Sequence, residues 1–246
     1  MRGDLSSLHH TPGKNAAGRA AAALVETGMS VGLGTGSTAS EAVRELARRV
    51  REEGLRVLGV PTSYASEQLA RELGIPLAST EDVERLDFAF DGADEVDPDL
   101  NLIKGRGAAH SREKVIAAMA DQFVIVIDET KLVDRLGTRF PVPIEIIPMA
   151  ARFVMRAVEQ LGVEPLLRSG GKKDGPVVTD QGLWIIDARF EEIPDPDALN
   201  RSLHALPGVL DHGLFLGMAH LALVGSTDGV RRLMPREWIR PDVVEK

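Results

Sequence analysis

The stretch Met29 to Gly54, MSVGLGTGSTASEAVRELARRVREEG, passes from an apolar run through a glycine-rich turn into a periodic helical segment. MSVGLG is short, apolar and bounded by glycine, so it reads as a buried strand. After the turn, Val43, Leu46, Ala47 and Val50 have the i, i+3, i+4, i+7 spacing of one helix face, and the pattern stops before Gly54. Thr38 and Glu41 have the spacing of a capping box, which predicts Thr38 at the helix N-cap. The unit is strand, glycine turn, helix. Repetition of such a unit builds a parallel sheet.

The unit recurs in looser form along the chain. RVLGVPTS reads as a strand, YASEQLAREL as a helix, IPLAS as a short strand and LDFAFDGAD as a buried strand that ends in an acidic loop. SREKVIAAMADQ then reads as a helix with Ser111 as N-cap, and FVIVID as a further buried strand. Upstream, residues 14–27 read as an alanine-rich helix closed by Gly28. This alternation predicts an α/β fold with a doubly wound, mostly parallel sheet. Within RFPVPIEIIP, Pro141, Pro143 and Pro148 interrupt any continuous element. Beyond them, a helix (MAARFVMRAVEQLG), a strand, the polar loop SGGKKDGP, a hairpin-like VVTDQGLWIIDARF turning at Asp180 to Gly182, and a helix near PDALNRSLHAL predict a smaller α+β, ferredoxin-like domain. The tail GLFLGMAHLALVGSTDGV is again apolar and is expected to rejoin the first sheet. The expected division is residues 1–139 plus 213–246 for the α/β catalytic domain and 140–212 for the small one.

Composition narrows the function. The 246 residues carry 43% apolar and 27% charged side chains, those of an ordinary globular protein. No run approaches the roughly 18 apolar residues of a membrane span, and MRGDLSSLHHTPGK lacks the order of a signal peptide, so a cytoplasmic location is expected. Zero cysteines exclude disulfides, thiolate metal sites and a cysteine nucleophile. A net charge of -8 without any basic run argues against nucleic acid. A small anionic ligand needs only a few local cations and stays open.

Two stretches carry candidate chemistry. GLGTGST places Gly34, Thr35, Gly36, Ser37 and Thr38 between a strand and a helix, where N–H groups and the helix dipole favour an anion. It is no dinucleotide fingerprint, because Ser37 stands where a glycine is required, and it lacks the GK[ST] ending of a P-loop. The alternative is a tight, well-capped turn. FDGADEVDPDLNLIKG, Phe90 to Gly105, fails as a calcium loop, because Leu102 and Ala108 stand where Gly and Glu are needed. Asp91 and Asp94 lie where an open α/β sheet binds ligands, outside the carboxyl ends of its strands. Glu95, Asp97 and Asp99 read as a solvated turn set by Pro98. Lys104 is followed by Gly105 and Gly107, which let backbone approach a ligand. Glu113 falls in the first turn of the next helix. The six histidines show no metal-ligand spacing, and each reads as a surface or helix-end residue, so no metal is expected.

Taken together, GTGSTA (34–39), DGADE (91–95), IKGRGAAHSREK (103–114) and VPIEIIP (142–148) resemble ribose-5-phosphate isomerase of the A type, from about Lys14 to about Met234. The resemblance implies interconversion of D-ribose 5-phosphate and D-ribulose 5-phosphate through an enediolate, in the non-oxidative pentose phosphate pathway and without a cofactor. It implies Glu113 as the base, with Asp91, Asp94 and Lys104 completing the catalytic set. Gly92, Ala93, Gly105, Arg106 and Gly107 would line the sugar, and Thr35, Gly36, Ser37 and Thr38 would contact substrate. Lys14 and Lys131 would hold the phosphate, and the assembly would be a homodimer or homotetramer. Within this set we expect Asp91 to assist ring opening and Asp94 to orient hydroxyls with Lys104. Crowding of three carboxyls predicts at least one raised pKa. Arg106 departs from a KGGG pattern, and His110 and Ser111 stand where Leu and Thr are common. An amino-sugar phosphate deaminase and a sugar-phosphate sensor module are the competing readings.

Overall fold

A computed structural model describes residues 12–171 and 174–235; His9, His10, the segment MRGDLSSLHHT, the lysines of SGGKKDGP and REWIRPDVVEK lie outside the described residues. The first helix, α1 (Pro12–Ala22), leads into β1 (Ser30–Leu33), α2 (Ser37–Glu52), β2 (Leu58–Pro61) and α3 (Tyr64–Glu72). There follow β3 (Phe88–Asp91), the short β4 (Glu95–Val96) and β5 (Leu102–Ile103), α4 (His110–Met119) and β6 (Phe123–Asp128). The remainder comprises β7 (Val142–Ile146), α5 (Ala151–Glu159), β8 (Pro165–Leu167), β9 (Trp184–Ala188), α6 (Pro196–His204), β10 (Val209–His212), β11 (Leu214–Phe215), β12 (Leu221–Ser226) and β13 (Gly229–Leu233).

The main sheet has the order β13-β12-β6-β3-β1-β2. Its β1, β2, β3, β6 and β12 run parallel, and β13 is an antiparallel edge. From β1 the chain goes outward to β2 and then returns to the other side for β3, so the order reverses between β1 and β3. Ligands bind at such a reversal, outside the carboxyl ends of the strands. The strands are continuous apolar runs because both faces are covered. Phe88 and Phe90 point to the layer of α1, α2 and α3, while Ala89 points to the layer of α4. Full burial of a side chain such as Phe90 stabilises the fold by about 1.5–3 kcal/mol. The tail returns as expected, with β12 beside β6.

A separate antiparallel sheet, β10-β7-β9-β8, packs its own core with α5 and α6, and β11-β5-β4 forms a three-stranded bridge beside the acidic loop. Pro143 sits inside β7 without breaking it, and its carbonyl still accepts from Gly213 N–H.

Several local readings need correction. The helix α1 ends at Ala22, because Arg49 donates to the carbonyls of Ala22 and Val25, and Gly28 lies in the turn beyond. IPLAS contributes only a bridge from Leu77 to Gly59, and VVTDQG only an isolated bridge from Val178 to Trp184. The N-cap of α2 is Gly36, so the Thr38–Glu41 box does not form; a capping box is found instead at Ser63 and Ser66 on α3. Ser111 is no cap either: α4 begins at His110, and the Ser111 hydroxyl donates to Glu145 inside the protein. Glu95 is not solvated. It is fully buried and accepts from the backbone N–H groups of Gly137, Arg139 and Phe140 at 2.7, 2.6 and 2.7 Å. Asp97 does organise the turn, accepting from Asp99 and Asn101 N–H, and Asp99 is exposed.

Candidate active site

Gly34 is where the site begins. A Cβ there would lie 2.6 Å from Asp91 Oδ1, so only glycine lets the turn after β1 press against the end of β3. The contact lets Asp91 Oδ1 accept from Thr35 N–H at 2.9 Å and from Gly92 N–H at 2.7 Å. Thr35 Oγ1 is fixed in turn by Thr62 Oγ1 at 2.8 Å and Ser63 Oγ at 2.6 Å. The helix α2 starts at this turn with no side-chain cap, so its first N–H groups stay available to an anion.

Lys104, at the end of β5, reaches under the turn and donates to the Gly92 carbonyl. Its Nζ stands 3.2 Å from Asp91 Oδ2 and 3.1 Å from Glu113 Oε2. The Phe215 ring centroid lies 5.4 Å away and closes the apolar side of this ion cluster. Burial pushes Glu113 up to about 8 against the pull of Lys104, and Asp91 adds to the rise. Burial also raises Asp91, although Lys104 and two backbone N–H donors oppose it. Those donors favour the ionised form of Asp91, and the two carboxyls titrate as a coupled pair around Lys104. Burial disfavours the Lys104 charge, yet Asp91 and Glu113 more than offset it and raise the ammonium above its ordinary value.

The cleft above this floor has a volume of about 610 Å³. Lys14, Thr35, Gly36, Ser37, Thr38, Gly92, Ala93, Asp94, Lys104, Gly105, Arg106, Gly107, Glu113 and Lys131 are among the residues that line it. Asp91 lies beneath the lining, 1% exposed, and Asp94 accepts from Arg106 N–H at 3.0 Å and is not paired with Lys104. Lys14 is held over the sheet by a close backbone approach: a Cβ on Gly13 would come within 2.6 Å of the Gly225 carbonyl oxygen in β12. Lys131 and Arg106 flank the Phe140 ring, 4.7 and 5.7 Å from its centroid. Arg106 is exposed at the rim.

The profile of the ribose 5-phosphate isomerase A (phosphoriboisomerase A) family matches residues 58–229. The chain belongs to the ribose 5-phosphate isomerase A family. It is 53% identical over 214 residues to ribose-5-phosphate isomerase A of Thermosynechococcus vestitus, covering 87% of this chain and 91% of that relative. The solved ribose 5-phosphate isomerase A of Methanocaldococcus jannaschii superposes with a TM-score of 0.87 at 44% identity, covering 90% of this chain and 97% of that one. A D-ribose-5-phosphate isomerase solved in complex with phospho-erythronic acid matches equally well, with a TM-score of 0.87 over 90% of this chain and 97% of its own.

Beside the family motifs, the cleft is lined by Ser40, Glu41, Arg44, Val126 and Ile127, which the sequence reading omitted. Ser37, Ser40, Glu41 and Arg44 follow three- and four-residue steps opposite the apolar stripe of α2, so periodicity carried a usable signal. The reading of each histidine as a surface or helix-end residue also fails for His110 and His212, which are fully buried. His204, Asp211 and His212 come together, with candidate ligand atoms all within 4.8 Å of one another. Leu214 N–H donates to His212 Nδ1, which leaves the proton on His212 Nε2, 3.0 Å from His204 Nδ1. Lys114 already pairs with Asp211 at 2.5 Å and donates to the His212 carbonyl at 2.6 Å, tying α4 to β10.

Proposed function

We propose that this chain interconverts D-ribose 5-phosphate and D-ribulose 5-phosphate by proton transfer between C1 and C2. The observation that carries the reading is Lys104 Nζ set between Asp91 and Glu113 in a cleft whose lining also includes Lys14 and Lys131. Such a reaction needs a base on the carbon next to the carbonyl and a cation or donor where the enediolate oxygen develops charge. Glu113 serves as the base, and its raised pKa suits both taking a proton from one carbon and returning it to the other. Lys104 supplies the positive charge. Burial beneath the lining suits Asp91 to holding Lys104 and the Thr35 turn, which leaves contact with the sugar hydroxyls and ring oxygen to Asp94. The phosphate would sit at the start of α2, with Ser37, Thr38, Lys14 and Lys131 around it.

The deaminase and sensor readings are not favoured, since the matched relatives are named isomerases over most of this chain. We also infer that residues 140–212 act as the smaller unit, and that this unit carries a homodimer or homotetramer contact. Exposed Ile147, Met149 and Phe153, close together in sequence at the start of α5, support that reading. No helix among the described residues is long and apolar enough to cross a membrane. The pathway role implies a cytoplasmic enzyme.

The test is ketose formation from ribose 5-phosphate in EDTA, comparing wild type with Glu113→Gln. Turnover by the wild type that the substitution abolishes is expected. Absence of wild-type turnover, or ammonia release from an amino-sugar phosphate in its place, would reject the isomerase reading.

A further inference from the structure

Arg168 follows the last residue of β8, outside the cleft. Its Nε and Nη2 meet Asp187 Oδ2 and Oδ1 on β9 at 2.7 and 2.5 Å, a two-pronged contact that fixes the guanidinium plane. Its remaining corner faces the active-site loop: Nη1 donates to the Gly105 carbonyl at 2.8 Å and the Arg106 carbonyl at 3.2 Å. A half-buried Arg–Asp pair is by itself an ordinary structural contact. The two carbonyl bonds give this one a further consequence.

In a trans peptide the C=O and the following N–H point to opposite sides, and no peptide among the described residues is cis. Drawing the Gly105 carbonyl toward Arg168 therefore turns the Arg106 N–H the other way, where it donates to Asp94 Oδ2 at 3.0 Å. Drawing the Arg106 carbonyl the same way turns the Gly107 N–H away from Arg168, and Gly107 is one of the residues that line the cleft. The loop needs such restraint. Gly105 has φ 109°, and Ala108, without glycine's freedom, has φ 61°.

We propose that Arg168 is a positioning residue for the isomerase site. Anchored by Asp187, it sets two peptide planes so that Arg106 N–H orients Asp94 and Gly107 N–H donates into the cleft, at a substrate hydroxyl or the enediolate oxygen. The inference rests on the isomerase reading for its catalytic half and on geometry alone for its conformational half. It gives the smaller sheet a part in the chemistry without contact with substrate.

Two readouts test it on the full chain, using Arg168→Gln and Arg168→Lys. In Arg168→Gln, kcat should fall about 30-fold while KM moves less than about threefold, because orientation of the reacting groups is lost and phosphate binding is kept. Arg168→Lys keeps a charge beside Asp187 but lacks the planar fork, so it should fold normally and still lose kcat. Adding guanidinium chloride at millimolar concentration to Arg168→Gln should recover part of the rate. Amide hydrogen exchange at Arg106 and Gly107, measured without substrate, should accelerate about tenfold in either variant. Unchanged kcat in both variants, or a KM rise with kcat kept, overturns the catalytic half. Unchanged exchange overturns the loop restraint, and this readout holds whether or not the wild type turns over ribose 5-phosphate. An inactive wild type rejects the isomerase reading and the catalytic half with it.

Discussion

Glu113 Oε2 lies 3.1 Å from Lys104 Nζ, and the two side chains are 6% and 3% exposed. As the proposed base, Glu113 is kept dry and beside the charge that the enediolate oxygen requires. Glu113→Gln should lower kcat by at least about 1000-fold with KM nearly unchanged, since general-base catalysis of this kind supplies about 100- to 10,000-fold. Coupled measurement of ribulose 5-phosphate gives both constants.

The pH dependence follows from the Glu113 carboxyl, raised from 4.5 to about 8 by burial. The base must be ionised, so kcat/KM should climb with pH and level off above about 8. Between 4.5 and about 8 the folded protein holds a proton that the unfolded chain has released. The contribution of this group to stability therefore falls as pH rises through that window. Thermal melts of wild type and Glu113→Gln across that range should converge at low pH and separate at high pH, with the variant the more stable.

Lys104 is the counter-charge of two buried acids. Lys104→Met should abolish turnover and cost about 3–5 kcal/mol, because it strands a carboxylate in the interior. Adding Asp91→Asn to that variant should return part of the loss in urea unfolding, though none of the activity. Equal stability of the single and double variants would contradict the pairing.

The three N–H groups that Glu95 accepts make a different demand. Glu95→Gln keeps the shape but swaps a charged acceptor for an amide, and should cost about 2–3 kcal/mol. The same segment carries Phe140, against which Lys131 and Arg106 rest, so KM should rise with little change in kcat. Urea titration and steady-state kinetics on one preparation check both.

If Lys14 and Lys131 hold the phosphate as proposed, removing either should act on binding alone. Lys14→Gln and Lys131→Gln should each raise KM by about tenfold, in line with about 1.5–3 kcal/mol for a charged hydrogen bond lessened by solvent. Their KM should also respond less to salt than that of the wild type, whose KM should rise between 50 mM and 500 mM salt as screening grows.

Much of the architecture was legible in short apolar runs. MSVGLG, LDFAF and FVIVID each became a strand of the main sheet, and the end of each strand placed a turn at the cleft. Asp91, Asp94, Lys104 and Glu113 could be singled out because they stand at strand ends and helix starts. Glu95 could not. Its partners are backbone N–H groups of residues 137–140, and a backbone donor leaves no mark in composition or spacing. His204 and His212 meet only because α6 and β10 fold back on one another, and Arg168 acts on carbonyls distant from it in sequence. Thr38 and Ser111 misled for a local reason. Each has cap chemistry, but Gly36 and Ala109 hold the backbone angles that begin those helices.

The near-contact of Gly13 with Gly225 sets a timetable for the nascent polypeptide. The helix that bears Lys14 is made before the strand it must dock against, β12, with about 200 residues between them. Until β12 is made, the proposed phosphate end of the cleft has no seat for its lysine, and a chain stalled before Gly225 should bind no sugar phosphate however well its first strands have paired. An added methyl at either glycine would hold the chain in that unfinished state after synthesis is complete.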